Sequence, residues 1–382
     1  MQGGFAVFHA KRRWKVRFSH AYLPDMSTAF RRDYSQIDAA LAFLAPYGPD
    51  LSNGFSNHAP MTVEALSALG RSDAIMPWLE ENWQHRTLLM PRETARRQID
   101  ADSWRDALGK EERGGDWEAF FARELRTHFW QQLVSTWVAR LAPGFCADAV
   151  HGVIRTGHAV RSLDERETAA RKAELAAALA YWAKTYRTLP DRRDGAPPVC
   201  AAEAIQRVRF VPDAQKTFRG SITSGLAALD GFAAFAPVIG WLDSSGDLSR
   251  TLSQITETLV RVYLANARDG LTTIVFIHGV TGAAAARSLA PHLTDDDARR
   301  LVSYAWQTGS ALYAAFATAA PDFENVIDAK DTPQTLIDSA VATADEHAIK
   351  FTEACLREYA LNPNSVYLAA ARHAIGILGD HG

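Results

Sequence analysis

Histidines in apolar surroundings are the residues of this chain best suited to chemistry. Imidazole is a good ligand for iron, copper or zinc, and buried helices can bring several histidines to one point. Five histidines and one lysine lie in segments whose composition predicts inward-facing side chains. These segments are NHAPM (His58), HGVIRTGHAVR (His151 and His158), FIHGVTG (His278) and DEHAIKFTEACLREY (His347 and Lys350). The alternative for each is a hydrogen-bonded core residue without chemistry, since a buried polar group only needs to be satisfied.

The spacing in two of these segments places polar residues on one helix face. His151 and His158 are two helical turns apart, and His347 and Lys350 are one turn apart. No HExxH or CxxC signature fixes a metal site, and the paired E-x-x-H motifs of di-iron bundles are absent. Asp148 precedes His151 by three residues, but one D-x-x-H is not that pattern. Spacing alone leaves both a metal site and a set of core histidines open.

The stretch TTIVFIHGVTG, residues 272–282, has a second interpretation. A β-branched run followed by His-Gly is typical of the strand beside the oxyanion hole of an α/β-hydrolase. That fold also needs a G-x-S-x-G nucleophile elbow, and the chain has none; GSITSG and DSSGD have the wrong spacing and precede His278. G-x-G-x-x-G and Walker motifs are also missing, so a Rossmann-bound flavin, nicotinamide or nucleotide is not supported. A serine hydrolase is therefore disfavoured.

Lys350 can become a metal ligand only after it loses its charge. A free ammonium repels a metal, whereas burial in an apolar helix face lowers the pKa of a lysine. The neutral amine reacts with CO2 to give a carbamate, whose oxygen donors suit iron beside neutral imidazoles. The alternative is a surface lysine paired with Glu346 or Glu353 across the helix.

The elements that would position these residues are mostly helices. Helical apolar spacing covers residues 34–44, 59–69, 117–141, 165–189, 248–269, 298–319 and 332–361. Only residues 208–211 and 274–277 have strand-like composition, too little for a doubly wound sheet. We therefore predict an all-α fold, a single large multi-helix domain with the metal site in its helical core. In such a fold the Ile-Val-Phe run before His278 is expected to be the buried approach to a helix, or a helix break.

Two segments are predicted to lie outside the helices. The Pro-, Gly- and charge-rich residues 191–198 predict a loop or subdomain boundary near residues 190–200. The basic residues 1–25 lack the apolar core and cleavage site of a secretory signal. We interpret them as a mobile arm, or as an over-long start with Met26 opening the native protein, so that the helical domain comprises residues 26–382.

Composition and charge narrow the class of protein. Of 382 residues 47% are hydrophobic and 22% charged, as in a globular soluble protein. A formal charge of −3 argues against nucleic-acid binding, which usually shows a basic surplus. Three widely spaced cysteines indicate neither a disulfide framework nor a zinc knuckle and fit a reducing cytoplasm. No uninterrupted apolar run approaches the roughly 18 residues of a membrane span.

Together the histidine segments resemble the questin oxidase-like family, known from fungal anthraquinone and aflatoxin-type pathways and from bacterial proteins. The matching pieces are SNHAPMTVEALSALG, HGVIRTGHAVRSL, IHGVTGAAAA followed by SLAPHL, and DEHAIKFTEACLREY, which span residues 58–359. Their order and spacing carry the resemblance more than any single piece. The resemblance implies an all-helical oxygenase without a bound organic cofactor, in which several histidines and a lysine carboxylated by CO2 hold one non-heme iron ion.

The resemblance also implies which residues bind the metal. By position in the motifs, the ligands are His58, His151, His347 and Lys350, and His278 is our choice for the fourth imidazole.

Other residues of the motifs are candidates for roles beside the metal. Thr281 falls where a hydroxyl would hydrogen-bond the modified lysine, and Arg155 would orient a substrate oxygen or carboxylate. His158 stands where the fungal pattern tends to have an aromatic residue, and it is a candidate acid/base or replacement ligand. His292, in SLAPHL, is the other reserve ligand.

From this resemblance we predict a non-heme iron oxygenase that acts on a small aromatic, polyketide- or quinone-like substrate with O2, by oxygen insertion or C–C ring cleavage. One alternative is an oxidoreductase of Baeyer–Villiger type with NADPH as a loosely bound electron donor, because the chain lacks a dinucleotide fingerprint. Another is a non-enzymatic helical protein that binds hydrophobic aromatic compounds. Neither nucleic acid nor a membrane is expected as a partner, and the oligomeric state is left open.

Overall fold

Helices dominate the computed structural model, which describes residues 31–192, 195–325 and 329–379. Within these residues the helices are α1 (Ile37–Leu44), α2 (Ala59–Ala68), α3 (Ser72–Pro77), α4 (Trp104–Ala107), α5 (Gly114–Thr127), α6 (Trp130–Leu141), α7 (His151–Glu165), α8 (Ala169–Lys184), α9 (Ala201–Arg207), α10 (Ile222–Leu226), α11 (Leu248–Asn266), α12 (Gly270–Leu289), α13 (Asp295–Phe316), α14 (Pro333–Ala342), α15 (Glu346–Leu361) and α16 (Ser365–Gly379). Two short strands, β1 (Tyr47–Leu51) and β2 (Leu89–Pro91), pair antiparallel. The predicted all-α, single-domain fold is confirmed.

Helix α12 lies at the centre of this fold and packs against α7, α11, α13 and α15. A capping box starts it: the Thr272 amide donates to the Asp269 carboxylate at 2.8 Å, and the Asp269 amide donates to the Thr272 hydroxyl at 3.1 Å. Small residues let neighbours approach closely, because a Cβ added at Gly282 would lie 2.8 Å from the side chain of Val150. Residues 274–277, whose composition is strand-like, lie inside α12, so the predicted helix approach or helix break is wrong, although the run is largely buried as predicted. The capping and the helical packing on several sides outweigh the β propensity of the run.

Two long helices predicted from apolar spacing are each divided in two. Residues 117–141 belong to α5 and α6, because His128 and Phe129 between them have extended backbone. Residues 332–361 belong to α14 and α15, which are separated at Ala344, whose φ is +53°. The other predicted strand, residues 208–211, pairs with no strand; there the Val211 amide donates to the carbonyl of Ala314 at 2.8 Å.

The segment Gly270–His292 is, within the described residues, the one helix long and apolar enough to cross a bilayer. The sequence analysis did not single it out because threonines, glycines and a histidine interrupt its apolar run. In the fold 78% of its most apolar window is buried inside the protein. That burial is consistent with the core helix of a soluble protein.

The connection from α8 to α9 contains the loop predicted near residues 190–200. Its described residues form no helix, and backbone hydrogen bonds tie it to the helical body: the Arg192 amide donates to Ala236 at 2.9 Å, and the carbonyl of Pro190 accepts from Gln307 at 3.0 Å. A subdomain boundary there stays a prediction. The predicted N-terminal arm, residues 1–25, lies outside the described residues.

Candidate metal centre

Three imidazoles meet at one point in the helical core. Nε2 of His151 lies 2.8 Å from Nε2 of His58 and 3.0 Å from Nε2 of His278, and all three side chains are buried. Two imidazole nitrogens bound at right angles, each about 2.1 Å from one ion, lie about 3.0 Å apart. The spacing of these nitrogens is therefore that of ligands to a common metal.

The three histidines come from three different helices. His58 is the residue immediately before α2, His151 is the first residue of α7, and His278 lies in the middle of α12. Helix α7 packs against both α2 and α12, which brings these positions together although more than 200 residues separate the first from the last.

Hydrogen bonds from the other ring nitrogens fix the tautomers of two of these imidazoles. Nδ1 of His151 donates to the carbonyl of Asp148 at 2.6 Å, and Nδ1 of His278 donates to the carbonyl of Ile274 at 2.6 Å. Because a carbonyl can only accept, the protons of the two neutral rings are on Nδ1, and both Nε2 atoms carry lone pairs. Two lone pairs facing each other at 3.0 Å repel unless a cation lies between them. With both rings neutral the pair therefore fits a bound metal, whereas a proton on Nε2 of His151 would make it a hydrogen-bonded core pair.

Two of the three converging rings resist protonation. Burial lowers the pKa of His58 and of His278 well below the ordinary 6.5, and a positive charge on Lys350 or on His151 would lower both further. Burial likewise lowers the pKa of His347 well below 6.5. These rings are therefore neutral at neutral pH, the form that binds metals.

His347 and Lys350 lie beside this cluster in the first turns of α15, and the ligand atoms of His347 and Glu346 group with that of His58. The ring of His347 lies 4.5 Å from that of His58 and 5.7 Å from that of His278, centroid to centroid. Nζ of Lys350 is buried and lies 3.0 Å from Nδ1 of His58. Burial lowers the pKa of Lys350 to about 8, so an appreciable fraction of the amine is neutral near physiological pH.

Nδ1 of His58 has two neighbours that compete for one proton. Besides Lys350, the Glu346 carboxylate lies 3.0 Å away, and this carboxylate also accepts from the Trp83 indole at 2.8 Å. If His58 keeps Nε2 free for a metal, its proton is on Nδ1 and is donated to Glu346. The ammonium of a charged Lys350 has no lone pair, so it would face the N–H of His58 Nδ1 without being able to accept from it. The metal-binding tautomer of His58 is therefore favoured when the Lys350 nitrogen is uncharged.

A strained turn sets the position of His151. The three residues before it, Asp148, Ala149 and Val150, have φ values of +41°, +52° and +76°, which disfavour any residue with a Cβ. The turn is held by the Asp148 carboxylate, which accepts hydrogen bonds from the hydroxyls of Tyr181 and Ser56. It directs the Asp148 carbonyl at His151 Nδ1, so the strain positions a candidate metal ligand.

Replacing Ala149 with glycine is expected to stabilise the protein by about 0.5–1 kcal/mol, because relief of the left-handed strain exceeds the added entropy of the unfolded chain. The free energy of unfolding from urea titration measures this. The matched control is Ala147→Gly, two residues earlier, where φ is not positive; the same chemical change there should destabilise. Destabilisation by Ala149→Gly would show that the turn is not strained.

A cavity of about 370 Å³ opens directly onto the four histidines. We call it the front cavity; apolar side chains form much of its wall, including Leu51, Phe55, Ile222, Leu271 and Ile274. Phe55 and Leu271 are 60% and 46% exposed and are thus at the solvent side. Its volume is in the range of small-molecule sites. The apolar wall favours an apolar molecule over a charged one.

A family model described as questin oxidase-like matches residues 55–355 of the chain. This chain belongs to the questin oxidase-like family. Membership makes it an oxidoreductase of the oxidase and oxygenase class, with aromatic substrates. A search of curated proteins finds no match.

In this family member the five predicted metal ligands lie close together, and Thr281 and His158 line a small cavity beside Lys350 without joining the imidazoles. Thr281 is one turn after His278, and its hydroxyl donates to the Ile277 carbonyl at 2.9 Å. The imidazole of His158 bonds to the Glu64 carboxylate at 2.5 Å.

Arg155 and His292 are also outside the cluster. Arg155 is buried in a two-bond ion pair with Glu174, at 2.6 and 2.9 Å, and does not line the front cavity. His292 bonds to Asp164 at 3.2 Å and contacts the ring of Trp130. A catalytic role for Arg155 stays a prediction, and His292 has partners that give it a structural role.

Sequence reasoning missed the residues that support the ligands. Glu346 was considered only as a partner of Lys350, although its position directly before His347 was a signal. Asp148 was set aside because it does not complete a di-iron motif. Ser56, Tyr181 and Trp83 had no local signal, because their partners are distant in sequence.

Changing Glu346 to glutamine is expected to weaken binding of Fe²⁺ or Zn²⁺ by about 10–100-fold, the usual effect of losing the outer partner of a metal-bound histidine. Glutamine has the same size as glutamate, but its neutral carbonyl oxygen accepts the hydrogen bond from His58 Nδ1 less strongly than a carboxylate does. Titration against a competing chelator measures the affinity, and Glu81→Gln, on an exposed carboxylate, is the matched control. Equal affinities for the two variants would mean that Glu346 does not support His58.

Proposed function

We propose that this protein is a non-heme iron oxygenase that acts on a polyketide- or quinone-like aromatic ring, by inserting oxygen or by cleaving a ring C–C bond. The observation that carries the proposal is the convergence of three Nε2 atoms at 2.8 and 3.0 Å on the floor of an apolar cavity. Neutral imidazoles suit iron, and when His151 and His278 are both neutral, a cation between their Nε2 atoms would bind both lone pairs.

The residues that would hold the iron are His58, His151, His278 and His347, together with a carboxylated Lys350. When bound, the iron supplies redox chemistry with O2 that amino-acid side chains cannot supply. Lys350 supports this set because burial favours its neutral amine, the form that takes up CO2. The carbamate adds one negative charge to a group of neutral ligands, which helps to balance the charge of the metal.

The protein itself would bind the ring, exclude water and handle protons. Leu51, Ile222 and Ile274 would pack on the faces of the ring, and their burial favours binding at roughly 25 cal/mol per Å² of apolar surface. His85 also lines the cavity, and its Nε2 lies 3.8 Å from the Glu346 carboxylate. It is placed to accept the proton of a phenolic hydroxyl and to share it with that carboxylate.

The hydroxyl of Thr281 would act on the modified lysine. It donates to the Ile277 carbonyl, a bond that a helix residue can exchange by rotating χ1. Thr281 and Lys350 line the same small chamber, so the rotated hydroxyl would donate to a carbamate oxygen.

The proposed setting is the cytoplasm, with neither a membrane nor nucleic acid as a partner. The three cysteines are free, two of them buried, as expected for a reducing compartment.

The experiment that tests the function combines metal analysis with oxygen consumption. Purified protein should contain about one iron per chain, and chelation should remove both the iron and the uptake of O2 with a hydroxyanthraquinone as probe. Re-addition of Fe²⁺ should restore uptake, and Zn²⁺ should not. Full oxygen consumption by metal-free protein would refute the proposal.

Adding NADPH to the same assay separates the proposal from the Baeyer–Villiger alternative. Oxygen uptake that occurs without NADPH assigns the electrons to the aromatic substrate. Uptake that depends on NADPH assigns them to an external donor. Binding of the probe without any oxygen uptake would instead indicate a helical binding protein.

A further inference from the structure

Two carboxylates line the front cavity, one at each end of a pair of imidazoles. The Asp148 carboxylate lies 3.5 Å from Nδ1 of His151, and the Glu346 carboxylate lies 3.0 Å from Nδ1 of His58. The two rings meet through their other nitrogens, because Nε2 of His58 is 2.8 Å from Nε2 of His151. An aromatic ring that lies over the imidazoles therefore has a negative charge near each end.

The described residues that line the front cavity include no lysine and no arginine. Lys350 is buried beside Nδ1 of His58 and does not belong to the lining. His85 does belong to it, but its Nε2 lies 3.8 Å from the Glu346 carboxylate, which would offset a positive charge on that ring. A divalent ion on the imidazoles would add two positive charges, and the two carboxylates would balance them. The lining thus offers no surplus positive charge to an anionic substrate.

One oxygen of the Asp148 carboxylate is free to accept a hydrogen bond from a ligand. The hydroxyls of Ser56 and Tyr181 both donate to Oδ2, and these bonds favour the charged form of the carboxylate. Oδ1 accepts no hydrogen bond from the described residues, although the Asp148 side chain is 35% exposed and lines the cavity. An ionised carboxylate can accept but cannot donate. Oδ1 is therefore a partner for a hydroxyl group and repels an anion.

We infer that the front cavity binds uncharged aromatic rings that carry a hydroxyl group and rejects rings that carry a carboxylate, with Oδ1 of Asp148 accepting the hydrogen bond of the hydroxyl. The inference rests on the proposed function and narrows its substrate from aromatic compounds in general to neutral phenols. The bond from a phenol to Oδ1 is charge-assisted, which makes it stronger than a bond between neutral groups. A carboxylate on the ring would lose its water against the apolar wall and would meet two negative charges instead of a partner.

Equilibrium binding of three matched probes tests the inference on the full-length protein. The probes are 6-methyl-2-naphthol, its methyl ether, and 6-hydroxy-2-naphthoate, in which a carboxylate replaces the methyl group. We expect the ether and the naphthoate to bind chelator-treated protein at least about tenfold more weakly than the naphthol, because one lacks the O–H donor and the other is an anion. Titration followed by naphthalene fluorescence measures the three Kd values. The same order is expected after loading with Zn²⁺.

Changing Asp148 to asparagine should alter both preferences. As long as Ser56 and Tyr181 donate to the amide oxygen, the amide NH2 group faces the cavity in place of Oδ1 and can only donate. The naphthol should then lose its advantage over the ether, and the naphthoate should bind more tightly than it binds the wild type. Asparagine tolerates the positive φ of this position, +41°, so we expect the turn before His151 to be retained.

A second variant tests the charge preference without touching Asp148. Phe55→Arg adds a positive charge at a 60% exposed position of the front cavity, and Phe129→Arg makes the same change at a 73% exposed position outside it. The first should narrow the difference between naphthol and naphthoate at least about threefold, because opposite charges attract across the cavity mouth. The second is the matched control and should leave the difference unchanged.

The outcome for the inference is separable from the outcome for the proposed function. Wild-type protein that binds the naphthoate or the ether as tightly as the naphthol, or that binds none of the three, would overturn the inference. Iron content and oxygen uptake are measured independently, so the iron oxygenase would stand if they are as proposed. A protein that shows the expected order of binding but holds no iron would refute the oxygenase and keep the selectivity for neutral phenols.

Discussion

Replacing His151 with alanine is expected to remove the metal from the protein. Nε2 of His151 lies within 3.0 Å of both His58 Nε2 and His278 Nε2. Without it, the proposed ligand set loses the imidazole that contacts both of the others. Loss of an outer partner alone weakens metal binding by about 10–100-fold, and loss of a ligand should cost at least about 100-fold. Iron content, measured by emission spectrometry on protein purified without added chelator, should fall to a small fraction of the wild-type value. Oxygen uptake should fall in parallel.

The control for this change is His292→Ala. The sequence made His292 the alternative ligand to His278. In the structure it lies just after α12, bonds to Asp164 of α7 and does not join the cluster. It should keep both iron and activity. Iron loss in His292→Ala together with iron retention in His151→Ala would show that the metal is bound at a different place. Circular dichroism of both variants confirms that they are folded.

Acidification of the metal-free protein is expected to destabilise it strongly. The unfolded chain protonates His58, His278 and His347 near pH 6.5, whereas burial keeps these rings neutral in the fold to a much lower pH. The contribution of these three rings to the free energy of unfolding is fully present above pH 6.5. It is lost as the pH falls below 6.5 toward the pKa values of the folded state. Three such protons correspond to about 4 kcal/mol per pH unit. Urea unfolding of chelator-treated protein between pH 5.5 and 5.0, where the unfolded rings are almost fully protonated, measures the slope.

A histidine variant assigns this slope to the cluster. His347→Gln removes one buried imidazole and should reduce the slope by about 1.4 kcal/mol per pH unit. His158 and His373 shift in the same direction, so part of the slope will remain in any single variant. Saturating metal should raise the stability at pH 7 by mass action on the folded state. A stability independent of pH across this window would mean that the rings are protonated in the fold.

The helical fold and most of the site could be predicted because their signals are local. Helical periodicity is visible within a dozen residues, and so is the one-turn spacing of His347 and Lys350. The choice between His278 and His292 was not a local one. In the structure about fourteen residues, mostly of α12, separate them by about 21 Å, so the two cannot reach one metal, and the contact of His278 with His151 makes the choice.

The supporting residues could not be predicted because their contacts are long-range. Glu346 meets His58 across most of the chain, and Tyr181 meets Asp148 through the packing of α7 on α8. The left-handed turn before His151 contains no glycine, so nothing in its composition reveals three positive φ values. The β-branched run of α12 was misread because its stability as a helix depends on a cap and on neighbours that periodicity does not show.

The wide separation of the ligands along the chain has a consequence for biosynthesis. Helices α2, α7, α12 and α15 each contribute to the cluster, and the last contribution, Lys350, lies nearly 300 residues after the first. A nascent chain on the ribosome therefore has no complete binding site until α15 has emerged and docked. Under the proposed function, metal capture would follow the folding of the helical body instead of guiding it, and the ion acquired would depend on which metals are available to the finished protein.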